Sequence, residues 1–312
     1  MIVAVTGASG YLGTRLMQIL TELSDVDRII AIDKNLPKKT LEPKIHFHRH
    51  DISLPLGDLL TRNNVDSVVH MAYQIHHGRD DSKAYKINVG GSQNIVNACD
   101  SSVVKKLVYL SSTTVYGAHP DNPYNISESD ISRPIKGHIY AEHKIQSENI
   151  FQDFSKKYKS VTSTILRSCP VLGPNADNFI SKSLSQKILV GITGYNPQMQ
   201  LIHEDDITTS ISKCLLSDHH GIYNLAGRDS ITWNQMASIL GRWKISMPAA
   251  ILYPLTELTW KLRIQSRSPS SGLNLIRYPW IVNTEKARRD LGIKFRYSTL
   301  EIAEIFAASQ KH

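Results

Sequence analysis

Cysteine is scarce in this chain, and long apolar runs are missing. The three cysteines, Cys99, Cys169 and Cys214, lie far apart. They fit neither a disulfide framework nor a zinc site, and they read as free thiols in a reducing cytoplasm. No uninterrupted apolar stretch is long enough to span a bilayer. No secretory leader is expected, because a strand pattern begins at residue 2. Aromatic residues make up 7% of the chain, and no long basic run interleaves with them, so nucleic acid is not an expected partner. Internal repeats and low-complexity tracts are also lacking. What is present is ordinary for a globular chain: 312 residues, 41% hydrophobic and 21% charged, enough for one large domain or two. The net charge of +8 is scattered over sites such as Lys105-Lys106 and Arg288-Arg289. A small anionic cofactor is a more economical partner for it than a polyanion or a membrane.

The first turn supplies a place for such an anion. Ile2-Val3-Ala4-Val5 reads as a strand, and Thr14-Arg15-Leu16-Met17-Gln18-Ile19-Leu20 reads as a helix. Between them stands Thr6-Gly7-Ala8-Ser9-Gly10-Tyr11-Leu12-Gly13. Gly7 permits the tight turn, Gly10 lets the backbone approach a pyrophosphate, and Gly13 lets helix and strand pack closely. The helix N-terminus then offers free N–H groups and a positive dipole end. A glycine turn that serves only packing is the bland alternative. Against it stands Asp33, about 20 residues later at the end of the apolar run Ile29-Ile30-Ala31-Ile32, where a carboxylate accepts from adenosine ribose hydroxyls. An Asp there repels a 2′-phosphate, so NAD is favoured over NADP. Lys34 weakens that preference.

Strand and helix patterns alternate through the first half. Strands are expected at 45–48, 67–70, 106–110 and 162–166, and helices at 56–62, 82–99 and 137–157. Apolar strands alternating with helices predict an α/β fold, a Rossmann-type doubly wound parallel sheet. Beyond about residue 173 the rhythm breaks into short segments. The division expected is a dinucleotide-binding domain over 1–172 and a smaller C-terminal substrate lobe over 173–312, interleaved with the first. His46, His48 and His50 alternate along one strand. A solvent-facing edge strand explains them better than a metal site, and no metal is expected. In 249–262, Ile251, Leu252, Leu255, Leu258 and Leu262 fall at helical spacing. Packing against the lobe is the expectation, with a lid, an oligomer contact or a membrane-surface segment as alternatives. The serine-rich stretch 266–272 reads as a mobile loop or lid.

The chemistry rests on Ser112, Tyr140 and Lys144. Tyr140-Ala141-Glu142-His143-Lys144 sets Tyr and Lys four apart on a helix, hence on one face. A tyrosine is a poor base at its free pKa of about 10. A nearby ammonium favours the phenolate, and a three-unit shift takes about 4 kcal/mol. Such a tyrosine exchanges a proton with a substrate hydroxyl while hydride moves to or from a nicotinamide. Ser112 follows the strand at 106–110, so it stands at a carboxyl end and can hydrogen-bond the same oxygen.

With these residues in this order, the sequence resembles the extended short-chain dehydrogenase/reductase family. The branch is the NAD-dependent epimerases and dehydratases that include UDP-glucose 4-epimerase. The resemblance also rests on Asp51-Ile52, Val69-His70-Met71-Ala72, Asn88, Ser111, Tyr116-Gly117, Arg167 ahead of Gly173-Pro174, and Ile202-His203-Glu204-Asp205-Asp206. It implies NAD as cofactor. Tyr11 and Leu12 would contact the pyrophosphate, Asp33 the ribose, and Asp51 and Ile52 the adenine. Met71, Ala72, Tyr73 and Ser111 would line the cofactor bed. Asn88 would hold the strand-end loop and the cofactor, and Cys169 would lie beside the nicotinamide. Tyr140 would be the general acid/base, and Lys144 would bind the nicotinamide ribose. The family's dimers pair two helices per subunit in a four-helix bundle, here 82–99 and 137–157, so a homodimer is implied.

Departures from the family pattern narrow the function. Dehydratases of this branch carry Asp-Glu where this chain has Thr113-Thr114. Pro170 stands where UDP-sugar epimerases usually carry Asn, although Asn178 lies downstream. Met199 and Gln200 occupy the usual place of a diphosphate-clamping arginine, and Arg277-Tyr278-Pro279-Trp280 replaces a late R-x-G-D pattern. The leading expectation is an NAD-dependent epimerase acting on a secondary alcohol of a sugar or nucleotide sugar, for instance a UDP-sugar. It would form a transient ketone that turns and takes hydride on its other face. A dehydrogenase of a less polar, sterol- or terpenoid-like alcohol is the second reading. A non-catalytic NAD-binding module is the third.

Overall fold

The computed structural model describes all residues except 39, 75–80, 101–102, 266–267 and 311–312. Six strands appear in the first 168 residues: β1 (Ile2–Thr6), β2 (Arg28–Asp33), β3 (Ile45–Arg49), β4 (Ser67–His70), β5 (Lys106–Ser112) and β6 (Thr162–Ser168). A seventh, Gly221–Leu225, completes one parallel sheet in the order Gly221–Leu225, β6, β5, β4, β1, β2, β3. The strands come from apolar, β-branched runs that are buried on both faces. Val3 and Val5 enter one core and Ala4 the other, as a two-residue side-chain period requires. The helices α1 (Tyr11–Glu22) and Glu204–Leu216 pack against each other on the first face. The second face carries α2 (Gly57–Arg62), α3 (Ser82–Tyr85), α4 (Gly91–Asp100) and α5 (Ile139–Lys157).

The sheet is therefore a doubly wound one, and β1 lies between β2 and β4. Chain direction across the sheet reverses there, which opens a crevice at the carboxyl ends of the strands. The sheet does not stop at residue 172, since its last strand and the helix Glu204–Leu216 come from beyond it. β3 is one of the two edge strands, with Ile45 and Phe47 turned to the core and His46 exposed.

Two elements differ from the pattern expected. The stretch 82–99 is not one regular helix, because a π-helical turn, Lys86–Gly90, separates α3 from α4. Such turns occur often at functional sites, and this one carries Asn88. The second difference is the helix Ala249–Lys261. Leu252 is buried, but Ile251, Leu255, Leu258 and Leu262 are exposed. Polar tethers set the rotation. Tyr253 donates to Asn274 Oδ1 at 2.6 Å, and Ser270 donates to Glu257 Oε2 at 2.8 Å. Both bonds turn the other side of the helix toward the 3-10 helix Ser270–Ile276, which leaves the leucine stripe outside. Of the expected lid, Ser266 and Arg267 lie outside the described residues, and 270–272 belong to that 3-10 helix.

Candidate active site

The glycine turn is shaped by contacts that exclude a side chain. Gly7 has φ +75°, and a Cβ there would stand 2.9 Å from Ala72 Cα. At Gly13 a Cβ would lie 2.8 Å from Ala8 Cα. Gly10 caps α1 with no side-chain bond, so the N–H groups of the first turn stay open to an anion. Thr6 Oγ1 accepts the N–H groups of Met71 and Ala72 at 3.2 Å each, which ties the ends of β1 and β4 together.

A cleft of about 240 Å³ opens over this turn. Gly7, Gly10, Asp33, Asp51, Ile52, Met71, Ala72 and Tyr73 line it, all of them expected. Lys34 lines it too, beside Asp33, as does His50, which the sequence offered only on an edge strand. Ser9, Asn35, Gln74 and Ile87 complete the lining, and sequence reasoning gave no separate role to these four. Asp33 is aimed by its neighbours, since Ser9 N–H donates to Oδ2 at 3.0 Å and Asn35 N–H to Oδ1 at 2.8 Å. Asp51 Oδ1 accepts from Ser53 N–H at 2.9 Å, a bond that holds its carboxyl below the usual range. Asn88 clamps the loop after β4 by bonding both the N–H and the carbonyl of Gln74, at 2.8 and 3.0 Å. A larger depression of about 460 Å³, walled by Arg228, Arg288 and residues 292–295, holds none of this chemistry.

Ser112, Tyr140 and Lys144 converge beside the cleft. Ser112 ends β5, where the N–H and Oγ1 of Thr114 donate to its Oγ at 3.2 and 2.9 Å. Both lone pairs are thereby used, so its own proton is left to donate toward Tyr140. Lys144 Nζ donates to the Leu110 carbonyl at 2.7 Å and sits 4.0 Å from the centre of the Tyr73 ring. Tyr73 also donates to the Tyr140 carbonyl at 2.9 Å, with the two rings edge to face at 5.0 Å.

The electrostatics depart from the simple expectation. Burial raises the Tyr140 phenol above its ordinary value, and the opposing pull comes from the Ser112 hydrogen bond rather than from Lys144. The lysine is itself pushed down to about 7 by burial, with Glu148 acting against the shift. An ammonium desolvated beneath two aromatic rings is a weak source of phenolate stabilisation, because its own charge is disfavoured there.

Three residues expected at the cofactor bond their side chains to other groups of the chain. The Ser111 hydroxyl turns away from the cleft and donates to Glu148. The Tyr11 hydroxyl reaches across to Glu204, and burial followed by that carboxylate pushes the phenol up; only the backbone of Tyr11 and Leu12 faces the cradle as part of the open first turn. Cys169 is buried against Thr113 and Gln200, its N–H is bound to the Leu225 carbonyl at 2.9 Å, and burial pushes its thiol up to about 12.

Sequence reasoning missed the support beneath the site. Glu148 has no solvent exposure, and Arg167 pairs with it at 2.6 Å. Arg167 also donates to Tyr116, which donates to Asn224, at 2.8 Å each. Glu148 lies four residues beyond Lys144 and eight beyond Tyr140, on the same helix face, and that spacing was the available signal. Arg277 was read from the sequence only as part of the stretch that replaces R-x-G-D, with no contacts foreseen. It donates to Tyr195 at 3.0 Å and stacks within 5.5 Å of the rings of Tyr195, Tyr253 and Tyr278.

A parallel-sheet crevice, a glycine cradle and a Ser–Tyr–Lys constellation together define a dinucleotide-dependent oxidoreductase site. The chain belongs to the NAD-dependent epimerase/dehydratase family, whose family model matches residues 3–226. An uncharacterised protein of Mycobacterium tuberculosis (strain ATCC 25618 / H37Rv) is 25% identical over 307 residues, covering 96% of this chain and 81% of the relative. The N-acetyl-alpha-D-glucosaminyl-diphospho-ditrans,octacis-undecaprenol 4-epimerase of Escherichia coli O157:H7 is 26% identical over 254 residues, 76% of this chain and 70% of that one. In fold, the chain is similar to the UDP-glucuronic acid 4-epimerase of Bacillus cereus in complex with NAD. The TM-score is 0.76 at 21% identity, over 100% of this chain and 99% of the other. NAD is the cofactor of the family, and the residues present fit it: a cradle that a Cβ would fill, an uncapped helix end and an oriented carboxylate at Asp33.

Proposed function

We propose that this enzyme is an epimerase acting on a secondary alcohol of a sugar carried on a diphosphate, with Tyr140 as general acid/base. The convergence of Ser112, Tyr140 and Lys144 beside the cleft carries the reading. When bound, NAD supplies the hydride acceptor and donor. Tyr140 in its phenolate form takes the proton of the substrate hydroxyl, becoming the phenol, and returns it in the reverse step; the Ser112 hydrogen bond opposes the burial that disfavours the phenolate. Ser112 donates to the same oxygen and holds it in line. On this reading Lys144, held by the Leu110 carbonyl and the Tyr73 ring, binds the nicotinamide ribose. Elimination of water has no support, because Thr113 and Thr114 are buried hydroxyls and neither can shuttle the proton that dehydration needs.

Unpartnered polar atoms favour a hydroxyl-rich substrate. Gln74 Oε1 in the cleft wall, Ser271 Oγ and Arg277 Nε are buried without a hydrogen-bond partner. Ser271 stands opposite Gly137, three residues before Tyr140, and Arg277 follows the same 3-10 helix. Arg277 is the guanidinium available for a diphosphate, since Gln200 is locked to the backbone of Val282. That lock and the exposed apolar helix Ala249–Lys261 favour the second reading, a dehydrogenase of a less polar alcohol. We carry a homodimer through α3–α4 and α5 forward as part of this proposal, testable by light scattering.

Tyr140→Phe is expected to lower turnover by about 10²- to 10⁴-fold while NAD binding, followed by calorimetry, is retained. Undiminished turnover would overturn the assignment. Substrate class is read by thermal shift with UDP-sugars and with polyprenyl-diphosphate sugars. Silence toward both, together with NADH formation from an apolar secondary alcohol, replaces the epimerase by the dehydrogenase.

A further inference from the structure

The substrate lobe carries an apolar surface that the active site does not use. Residues Ile188–Ile192 and Trp243–Met247 pair as a parallel two-stranded ribbon, with Trp243 opposite Ile188 and Ile245 opposite Val190. All four side chains are exposed, Trp243 by 80%. Opposed residues share a face, so they form one apolar patch. Pro248 follows, and the helix Ala249–Lys261 begins at the next residue. Its exposed Ile251, Leu255, Leu258 and Leu262 fall on one stripe. The helix ends in Lys261-Leu262-Arg263-Ile264, all exposed. More than half of the exposed large apolar side chains among the described residues lie on these segments. Single exposed apolar residues need no explanation, but a concentration of this kind marks an interaction surface.

The charge around it selects the partner. Lys261 and Arg263 close the helix, Lys187 and Arg242 flank the ribbon, Lys244 lies on its other face bonded to Asn234, and Glu257 is the sole acidic residue between 230 and 284. That carboxylate accepts from Ser270 through Oε2 and pairs through Oε1 with Lys261 at 3.6 Å. A second copy docked by two-fold symmetry would set this basic surface against itself. An anionic bilayer matches both features, with apolar side chains entering the acyl boundary, cations meeting phosphates, and Trp at the interface. We propose that this face docks the protein on an anionic membrane surface without crossing it. No described helix is long and apolar enough to span a bilayer. The opposite side of the docking helix is tied to Ser270 and Asn274. The surface therefore lies one helix away from Ser271, which faces the start of the Tyr140 helix. The proposal is independent of the reading of the reaction, because its readout is binding to lipid.

The test is flotation of the full chain with vesicles of phosphatidylcholine containing phosphatidylglycerol, against phosphatidylcholine alone. Binding is expected to the first, and to weaken as salt rises. Trp243→Ser with Leu258→Ser should reduce it by about tenfold or more. Lys261→Glu with Arg263→Glu should remove the preference for anionic lipid. Both variants should keep the melting temperature and NAD binding, since every altered side chain is exposed. If the first variant fails to fold, brominated-lipid quenching of tryptophan fluorescence in the unaltered chain carries the test, and Trp243→Phe should abolish the lipid-dependent part. Absence of binding at low salt overturns the proposal, as does equal binding by all variants. A concentration-dependent dimer that Trp243→Ser with Leu258→Ser dissolves also overturns it, in favour of a second copy of this chain.

Discussion

The cofactor cleft and the helix Ala249–Lys261 were both announced by apolar periodicity, yet only the cleft turned its apolar residues inward. In the cleft, strand period, glycine spacing and a carboxylate at a strand end all point to one arrangement. Chemistry and packing agree there because the strands are covered on both faces, so every apolar residue finds a core. The helix has one strong pattern and one partner. Tyr253 and Glu257 bond to the neighbouring 3-10 helix, and those bonds set the face. Periodicity fixes that a helix forms, while its rotation is decided by what it packs against.

The first way to break this comparison is beneath the site. Glu148→Ala leaves Arg167 buried without its carboxylate. It should cost about 3–5 kcal/mol in chemical denaturation, because an unpaired buried charge loses its solvation without compensation. No exposed position on the helix Ala249–Lys261 should approach that value.

Gly13→Ala comes next. Its Cβ would fall within 2.8 Å of Ala8 Cα, so strand and helix must part. A stability loss of about 1–3 kcal/mol is expected, with NAD binding weakened in calorimetry. Unchanged NAD affinity would mean that the close approach at this turn serves packing alone.

Lys144→Met tests the buried ammonium. Burial lowers the lysine to about 7 in the folded state, from 10.5 when unfolded. The unfolded chain therefore binds more protons between those values, and this group's cost is largest below pH 7 and fades as pH rises. Without NAD, the variant should melt a few degrees above the parent at pH 6, and the gap should close toward pH 9. A gap that widens with pH would refute the assignment.

The smallest effect is expected at Arg263, which closes the helix Ala249–Lys261 with φ +61°. Arg263→Gly removes a strained left-handed residue and should stabilise the chain by about 0.5–1 kcal/mol in thermal unfolding. It should at the same time weaken binding to anionic vesicles.

The candidate site was legible where local rules suffice. Gly7, Gly10, Asp33, Asp51, Ile52, Met71, Ala72 and Tyr73 meet in one cleft because each follows the end of a strand in one parallel sheet. Ser111 and Cys169 also stand at strand ends, but side chains alternate there, and both face a core. The Tyr11 hydroxyl was out of reach for a different reason: its partner, Glu204, is 193 residues away. The buried Glu148–Arg167–Tyr116–Asn224 chain spans four separate elements, and no periodicity links them.

By itself, the sequence determined six of the seven strands of the sheet, its parallel doubly wound class, the anion cradle and the spacing of Ser112, Tyr140 and Lys144. These depend on backbone conformation and spacing within short segments. The seventh strand, Gly221–Leu225, was not read from the sequence. Tertiary structure alone decided that burial sets the protonation of Tyr140 and Lys144, that Arg277 lies among three tyrosines, and that the leucine stripe faces outward. Desolvation, pairing across the chain and helix rotation are properties of the packed assembly, and neighbouring residues in sequence do not encode them.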